Sequence, residues 1–221
     1  MNKQAGFTLI ELAIVLVIIG LLLGGVLRGQ ELINSAKVKN MARDFQNVQV
    51  YVYGYQDKYK ALPGDDAAAA THLTGGTPAT VGTLGNGVIQ GNWKAPGNGD
   101  ESCVFWQHVR LAGLAPGSTV VDCATAGNTY QPRNADGGVI GIQSVSVFTD
   151  VSVQPTAGGM SGAYIVCSDG ILGKFAKQLD TTLDDGIGNT GSVRIQVEGG
   201  AATDGVAAPV DSTPYMVCMA F

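Results

Sequence analysis

Residues 7–27, FTLIELAIVLVIIGLLLGGVL, are 21 residues with one ionisable side chain, Glu11. As an α-helix rising 1.5 Å per residue the run is about 31 Å long, enough to cross the hydrocarbon core of a bilayer. Lys3 and the Met1 amine precede it, so the positive-inside bias keeps the short leader in the cytoplasm and sends the C-terminal bulk outward. A secretory signal peptide has a shorter apolar core and ends at a small-residue cleavage site. This run instead continues into Arg28 with no such site and no following cysteine for a lipid.

Glu11 is the anomaly. A carboxylate among Ile10, Leu12, Ala13 and Ile14 is expensive in hydrocarbon and marks function unless a cation meets it. The apolar run contains no Lys, Arg or His. Cleavage between Gly6 and Phe7 would create an α-amino group four residues before Glu11, at the same depth. That amine can pair with Glu11 of its own chain or of a neighbour. Two small-xxx-small pairs, Gly20 with Gly24 and Gly25 with Gly29, permit close helix packing.

The segment Gly6-Phe7-Thr8-Leu9-Ile10-Glu11-Leu12 resembles the processing motif of type IV prepilins and type II secretion pseudopilins. The resemblance covers about the first 30 residues. It implies cleavage after Gly6 by the membrane-embedded prepilin peptidase, N-methylation of Phe7, and use of Glu11 in filament assembly. It also implies an inner-membrane assembly platform driven by a cytoplasmic ATPase. The expected path runs from a single-pass inner-membrane precursor, head outside the cytoplasm, to a self-assembled periplasmic or cell-surface filament.

After Leu27 no proline occurs before Pro63. Val38, Met41, Ala42, Phe45, Val48, Val52, Tyr55, Tyr59 and Leu62 recur in steps of three and four, which predicts one helix from about 7 to 60. Gly24, Gly25 and Gly29 are its weakest points for local unwinding. The organisation expected is a leader over 1–6, a membrane and assembly helix over 7–27, its amphipathic continuation over 28–60, and a head over 61–221.

In the head, Pro63-Gly64 reads as a turn, with Asp65 or Asp66 capping a short helix over 67–70. Residues 73–98, rich in Gly, Thr, Asn and Pro, read as an irregular surface region. Asp100 or Ser102 caps a helix carrying Val104, Phe105, Trp106 and Val109 and ending at Gly113. Strands are expected over 139–148, 163–167, 193–197 and 215–219, and the spacing of Leu172, Phe175, Leu179 and Leu183 predicts a helix between them. The alternation in residues 193–198 suggests an antiparallel sheet with one wet face. The fold class is therefore α+β, a long N-terminal helix packed on an antiparallel sheet, as the pilin resemblance also implies.

The cysteines Cys103, Cys123, Cys167 and Cys218 have no metal spacing, and in a chain that leaves the cytoplasm an even number implies disulfides. Of three connectivities, Cys103 with Cys123 and Cys167 with Cys218 is favoured, because the second bond ties an inner strand to the C-terminal one. A C-terminal disulfide is similar to the staple of many type IV pilins.

Charge divides unevenly. Residues 1–60 hold 7 Lys/Arg and 4 acids, and residues 61–221 hold 6 and 14, so the parts are +3 and −8. A head of that sign disfavours nucleic acid. Asp180, Asp184 and Asp185 beside a Gly-rich loop are candidates for Ca²⁺, as the resemblance to pseudopilins, some of which hold calcium, also implies. Gly186–Gly191 satisfies GxGxxG but precedes a strand rather than a helix, the wrong setting for a dinucleotide. His72 and His108 belong to no ligand cluster, His108 reads as a structural residue, and no GxSxG occurs. The expectation is a non-enzymatic subunit of a type IV pilus or related filament. The alternatives are a minor pseudopilin of type II secretion or DNA uptake, and a membrane-tethered binding protein that does not polymerise.

Overall fold

The computed structural model describes residues 8–94, 96–125, 127, 129–147, 160–197 and 205–221. Leader residues 1–6 and Phe7 lie outside them, as does Phe148. The chain divides into two compact units, Met1–Val38 and Lys39–Phe221.

Helix α1 spans Leu9–Tyr59 without interruption, including at Gly24, Gly25 and Gly29 where unwinding was expected. Leu, Ile, Val and Ala supply enough helix propensity to carry isolated glycines. The helix stops at Lys60, whose φ of 55° is left-handed and whose N–H donates to the Gln56 carbonyl at 2.9 Å. Pro63 then prevents resumption. In the first unit the apolar side chains from Leu9 to Leu27 stand exposed. In the second, Met41, Phe45, Val48, Val52 and Tyr55 are buried in the predicted three-four rhythm.

The head contains α2 (Ala69–His72), α3 (Glu101–Leu111), β1 (Ile140–Ser144), β2 (Tyr164–Leu172), α4 (Gly173–Leu183), β3 (Val193–Val197) and β4 (Pro214–Ala220). The four strands make one antiparallel sheet in the order β1-β2-β4-β3. With α1 packed on it, the head is α+β and pilin-like in architecture. Cys167 and Cys218 are direct cross-strand neighbours on β2 and β4 and form a disulfide, and Cys103 is bonded to Cys123. Trp93, Met160, Ile165, Met216 and Ala220 surround the inner bond in a buried cluster.

Several local expectations change. The short helix begins two residues later than expected, its N-cap is Ala68, and no side chain caps it. Asp66 is drawn elsewhere: its carboxylate accepts hydrogen bonds from Ala68 N–H at 2.8 Å and Tyr55 O–H at 2.7 Å, and lies 2.7 Å from His72 Nδ1. Asp65 gathers the backbone N–H groups of Gly85, Asn86 and Gly87. Asp100 occupies the N-cap of α3, yet its carboxylate turns back to accept from Gly97 N–H at 2.7 Å. The first strand ends at Ser144 and passes into a 3₁₀ turn, Val145–Val147.

The sheet has no simple wet face. Strand β1 is buried throughout, and in β3 Gln196 is buried while Val197 is exposed. The irregular region over 73–98 is not merely surface either, because it sends Ile89 and Trp93 into the interior. Gly141 on β1 makes that passage fit: a β-carbon there would overlap the Trp93 carbonyl.

Candidate functional site

The apolar helix begins with two mutually satisfied residues. Thr8 N–H and Thr8 Oγ1–H both donate to Glu11 Oε2 at 2.8 Å, and Glu11 N–H donates back to Thr8 Oγ1 at 3.3 Å. This reciprocal arrangement is a capping box: a Thr at the helix start and a Glu three residues on each satisfy the other's backbone donor. Glu11 therefore has two local donors before any cation reaches it. Thr8 was overlooked as a functional residue in the sequence, although the spacing Thr-x-x-Glu ahead of an apolar run is its signal.

Gly6 and Phe7, the cleavage and methylation candidates, lie outside the described residues. Glu11 is exposed at the start of the helix, and β-carbons built at Gly20, Gly24, Gly25 and Gly29 meet nothing within 4 Å among the described residues. Those glycines leave open strips on the helix surface. By length and composition α1 can cross a membrane, and none of its most apolar stretch is buried by the described residues. An exposed apolar surface of this size marks a site of interaction with a membrane or with other protein.

In the head, Asp180, Asp184 and Asp185 bring one carboxylate oxygen each within 4.8 Å of one another. Asp184 accepts from Val193 N–H at 3.0 Å, and Asp185 accepts from Ile187 N–H at 2.8 Å and Thr190 Oγ1–H at 2.5 Å. Asp180 is fully buried, and neither of its carboxylate oxygens has a hydrogen-bond partner among the described residues. Burial pushes its carboxyl up to about 6, with the charges of Asp185 and Asp184 adding and Arg194 opposing. The Gly186–Gly191 segment simply connects α4 to β3.

His108 is buried as a structural residue. Its Nδ1 accepts from Gly64 N–H at 3.0 Å, its Nε2 lies 2.9 Å from the Thr77 carbonyl, and burial holds its basicity below that of an ordinary histidine. The imidazole thereby clamps the turn after α1 to α3 in its neutral form.

An exposed apolar helix long enough to cross a membrane, carrying one carboxylate at its start, continues into a disulfide-bonded α+β head of pilin-like architecture. Residues 1–27 match the family model described as the prokaryotic N-terminal methylation motif. That motif is the signature of type IV pilins and pseudopilins, proteins processed by prepilin peptidase. The head lies outside the matched span, and no curated protein or solved structure matches the chain.

Proposed function

We propose that this chain is a structural subunit of a type IV pilus or related filament. Prepilin peptidase removes residues 1–6, Phe7 becomes the methylated N-terminus, and the subunit leaves the inner membrane through the assembly platform to polymerise by its N-terminal helix. The observation that carries this reading is the methylation motif on a helix whose apolar side chains from Leu9 to Leu27 are left exposed by the described residues. In the filament, neighbouring helices replace lipid as apolar surroundings, and the Phe7 amine of one copy supplies the cation for Glu11 of another.

Intact-mass analysis and N-terminal sequencing of the mature protein test the processing step; a chain still beginning at Met1 or starting beyond Leu27 overturns it. Glu11→Val is expected to insert normally in the membrane and to reduce incorporation into sheared fibres by on the order of tenfold. A minor pseudopilin would instead be rare in fibres and required for exoprotein release. A tethered binding protein would enter none.

A second reading concerns the Asp180, Asp184 and Asp185 cluster, which is proposed to take Ca²⁺. The buried, unpartnered carboxylate of Asp180 favours it, since hard oxygens without donors suit a hard cation. Arg194 is the competing positive charge. Millimolar Ca²⁺ should raise the melting temperature by several degrees in the wild type and not in Asp184→Asn/Asp185→Asn; an equal response in both excludes the site.

A further inference from the structure

A cavity of about 380 Å³ lies between the second part of α1 and the region around α3. Asp44, Asn47 and Tyr51 line it from α1, and Trp106, Arg110 and Pro116 from the opposite wall. The two charged residues differ sharply. Arg110 is committed: Nε, Nη1 and Nη2 donate to the carbonyls of Pro116 at 3.1 Å, Ser118 at 2.9 Å and Tyr130 at 2.6 Å. Its guanidinium also lies 4.6 Å from the Tyr130 ring centre and 5.8 Å from that of Trp106.

Asp44 is half-buried, and no hydrogen bond or ion pair reaches it among the described residues. Burial alone pushes its carboxyl up to about 6. A desolvated carboxylate lining a cavity is a place for a cation, and none of the described residues supplies one. Lys39 is exposed, and it too is without a partner among the described residues.

We propose that this cavity receives the Lys39 ammonium of a neighbouring copy, forming an inter-subunit ion pair with Asp44. The proposal rests on the filament reading above, and sequence spacing supports it. Phe7 precedes Glu11 by four residues, and Lys39 precedes Asp44 by five. A parallel copy displaced by four residues, about 6 Å along a helix, brings its Phe7 amine level with Glu11. The same displacement leaves its Lys39 one residue, about 1.5 Å, short of Asp44. A lysine side chain spans that difference easily. Arg43 of the same copy would fall three residues past Asp44, which makes Lys39 the better-placed cation. A surface that pairs with a different surface of the next identical copy does not close on itself and propagates as a helix.

The test uses the full-length protein in cells that assemble it, scored as the fraction recovered in sheared fibres. Asp44→Lys and Lys39→Asp should each lower that fraction by on the order of tenfold, and the double reversal should restore it to within about twofold of wild type. As a check independent of the charge reversals, Lys39→Cys combined with Asp44→Cys should yield a ladder of cross-linked oligomers when fibres are treated with a bis-maleimide whose arm matches a lysine–aspartate pair, a span too long for a direct disulfide. Normal fibres from both single reversals, rescue of Asp44→Lys by Arg43→Asp but not by Lys39→Asp, or no ladder from the cysteine pair overturns the contact. Wild-type protein that never enters fibres overturns the filament reading itself.

Discussion

Glu101 offers the sharpest test of the electrostatics of the head. It opens α3, is fully buried, and its Oε2 accepts from Gln90 N–H at 2.7 Å, while Oε1 has no hydrogen-bond partner among the described residues. Burial, with smaller contributions from the charges of Asp65 and Asp100 and opposed by the Gln90 bond, raises its carboxyl from 4.5 to about 7. The folded protein therefore holds this proton more tightly than the unfolded chain. Stability from that proton is fully present below pH 4.5 and is lost as pH rises through about 7. At 1.36 kcal/mol per pH unit the interval corresponds to roughly 3 kcal/mol, or about 2 kcal/mol once solvent screening is allowed for.

Glu101→Gln keeps the acceptor for Gln90 and removes the charge, so the variant should gain nothing at pH 4.5 and about 2 kcal/mol at pH 8 relative to wild type. Asp44 and Asp180, also raised to about 6, and Asp66, held low, titrate in both proteins and cancel in the difference. Urea unfolding of the full-length protein in detergent, followed by fluorescence of the buried Trp93 and Trp106, measures it. A difference that does not change with pH, or a variant less stable at pH 8, refutes the assignment.

Two further outcomes follow from local geometry. Thr8→Val removes the hydroxyl that serves as both donor and acceptor in the capping box; it should cost about 1 kcal/mol at the helix start and lower fibre yield, whereas Thr8→Ser should keep it, as quantification of sheared fibres would record. Cys167→Ser/Cys218→Ser opens a loop of sequence separation 51 and should cost about 4 kcal/mol by chain entropy; Cys103→Ser/Cys123→Ser, at separation 20, should cost about 3 kcal/mol, an order that denaturant midpoints resolve.

The elements most legible in the sequence are those whose signal is periodic. Met41, Phe45, Val48, Val52 and Tyr55 announce the buried side of α1, and Phe175 and Leu179 announce that of α4. Strand β3 was bounded correctly at residues 193–197, but the burial of its Gln196 was not foreseen, because alternation reports pattern and not what covers each face. The capping roles given to Asp65 and Asp100 failed for another reason. Short carboxylates bind whichever backbone N–H groups come near, and the competing groups here, Gly85 to Gly87 and Gly97, belong to loops whose path no local rule fixes. At the start of α1 the informative residue is visible as an anomaly, Glu11 in an apolar run, while its partner Thr8 is hidden by being ordinary.

Those captured carboxylates also revise the meaning of the charge on the head. Of the 14 acids in residues 61–221, Asp65, Asp66, Glu101, Asp169 and Asp180 are buried. Asp65 organises residues 85–87, Glu101 fixes Gln90, and Asp169 pairs with Lys94 at 2.8 Å while accepting from Val139 N–H. Loops with few apolar side chains cannot be held by hydrophobic burial alone, but their backbone N–H groups can be collected by a carboxylate, and such charge-assisted bonds are about twice as strong as neutral ones. Three of the 14 acids, Asp65, Glu101 and Asp169, thus add to the anchoring that Ile89 and Trp93 give the irregular segments by burial. Hydrogen bonds do not cancel these charges and Lys94 is already counted in the net −8, so the sign of the field outside stands, while five of its sources are fixed in the interior rather than spread over the surface.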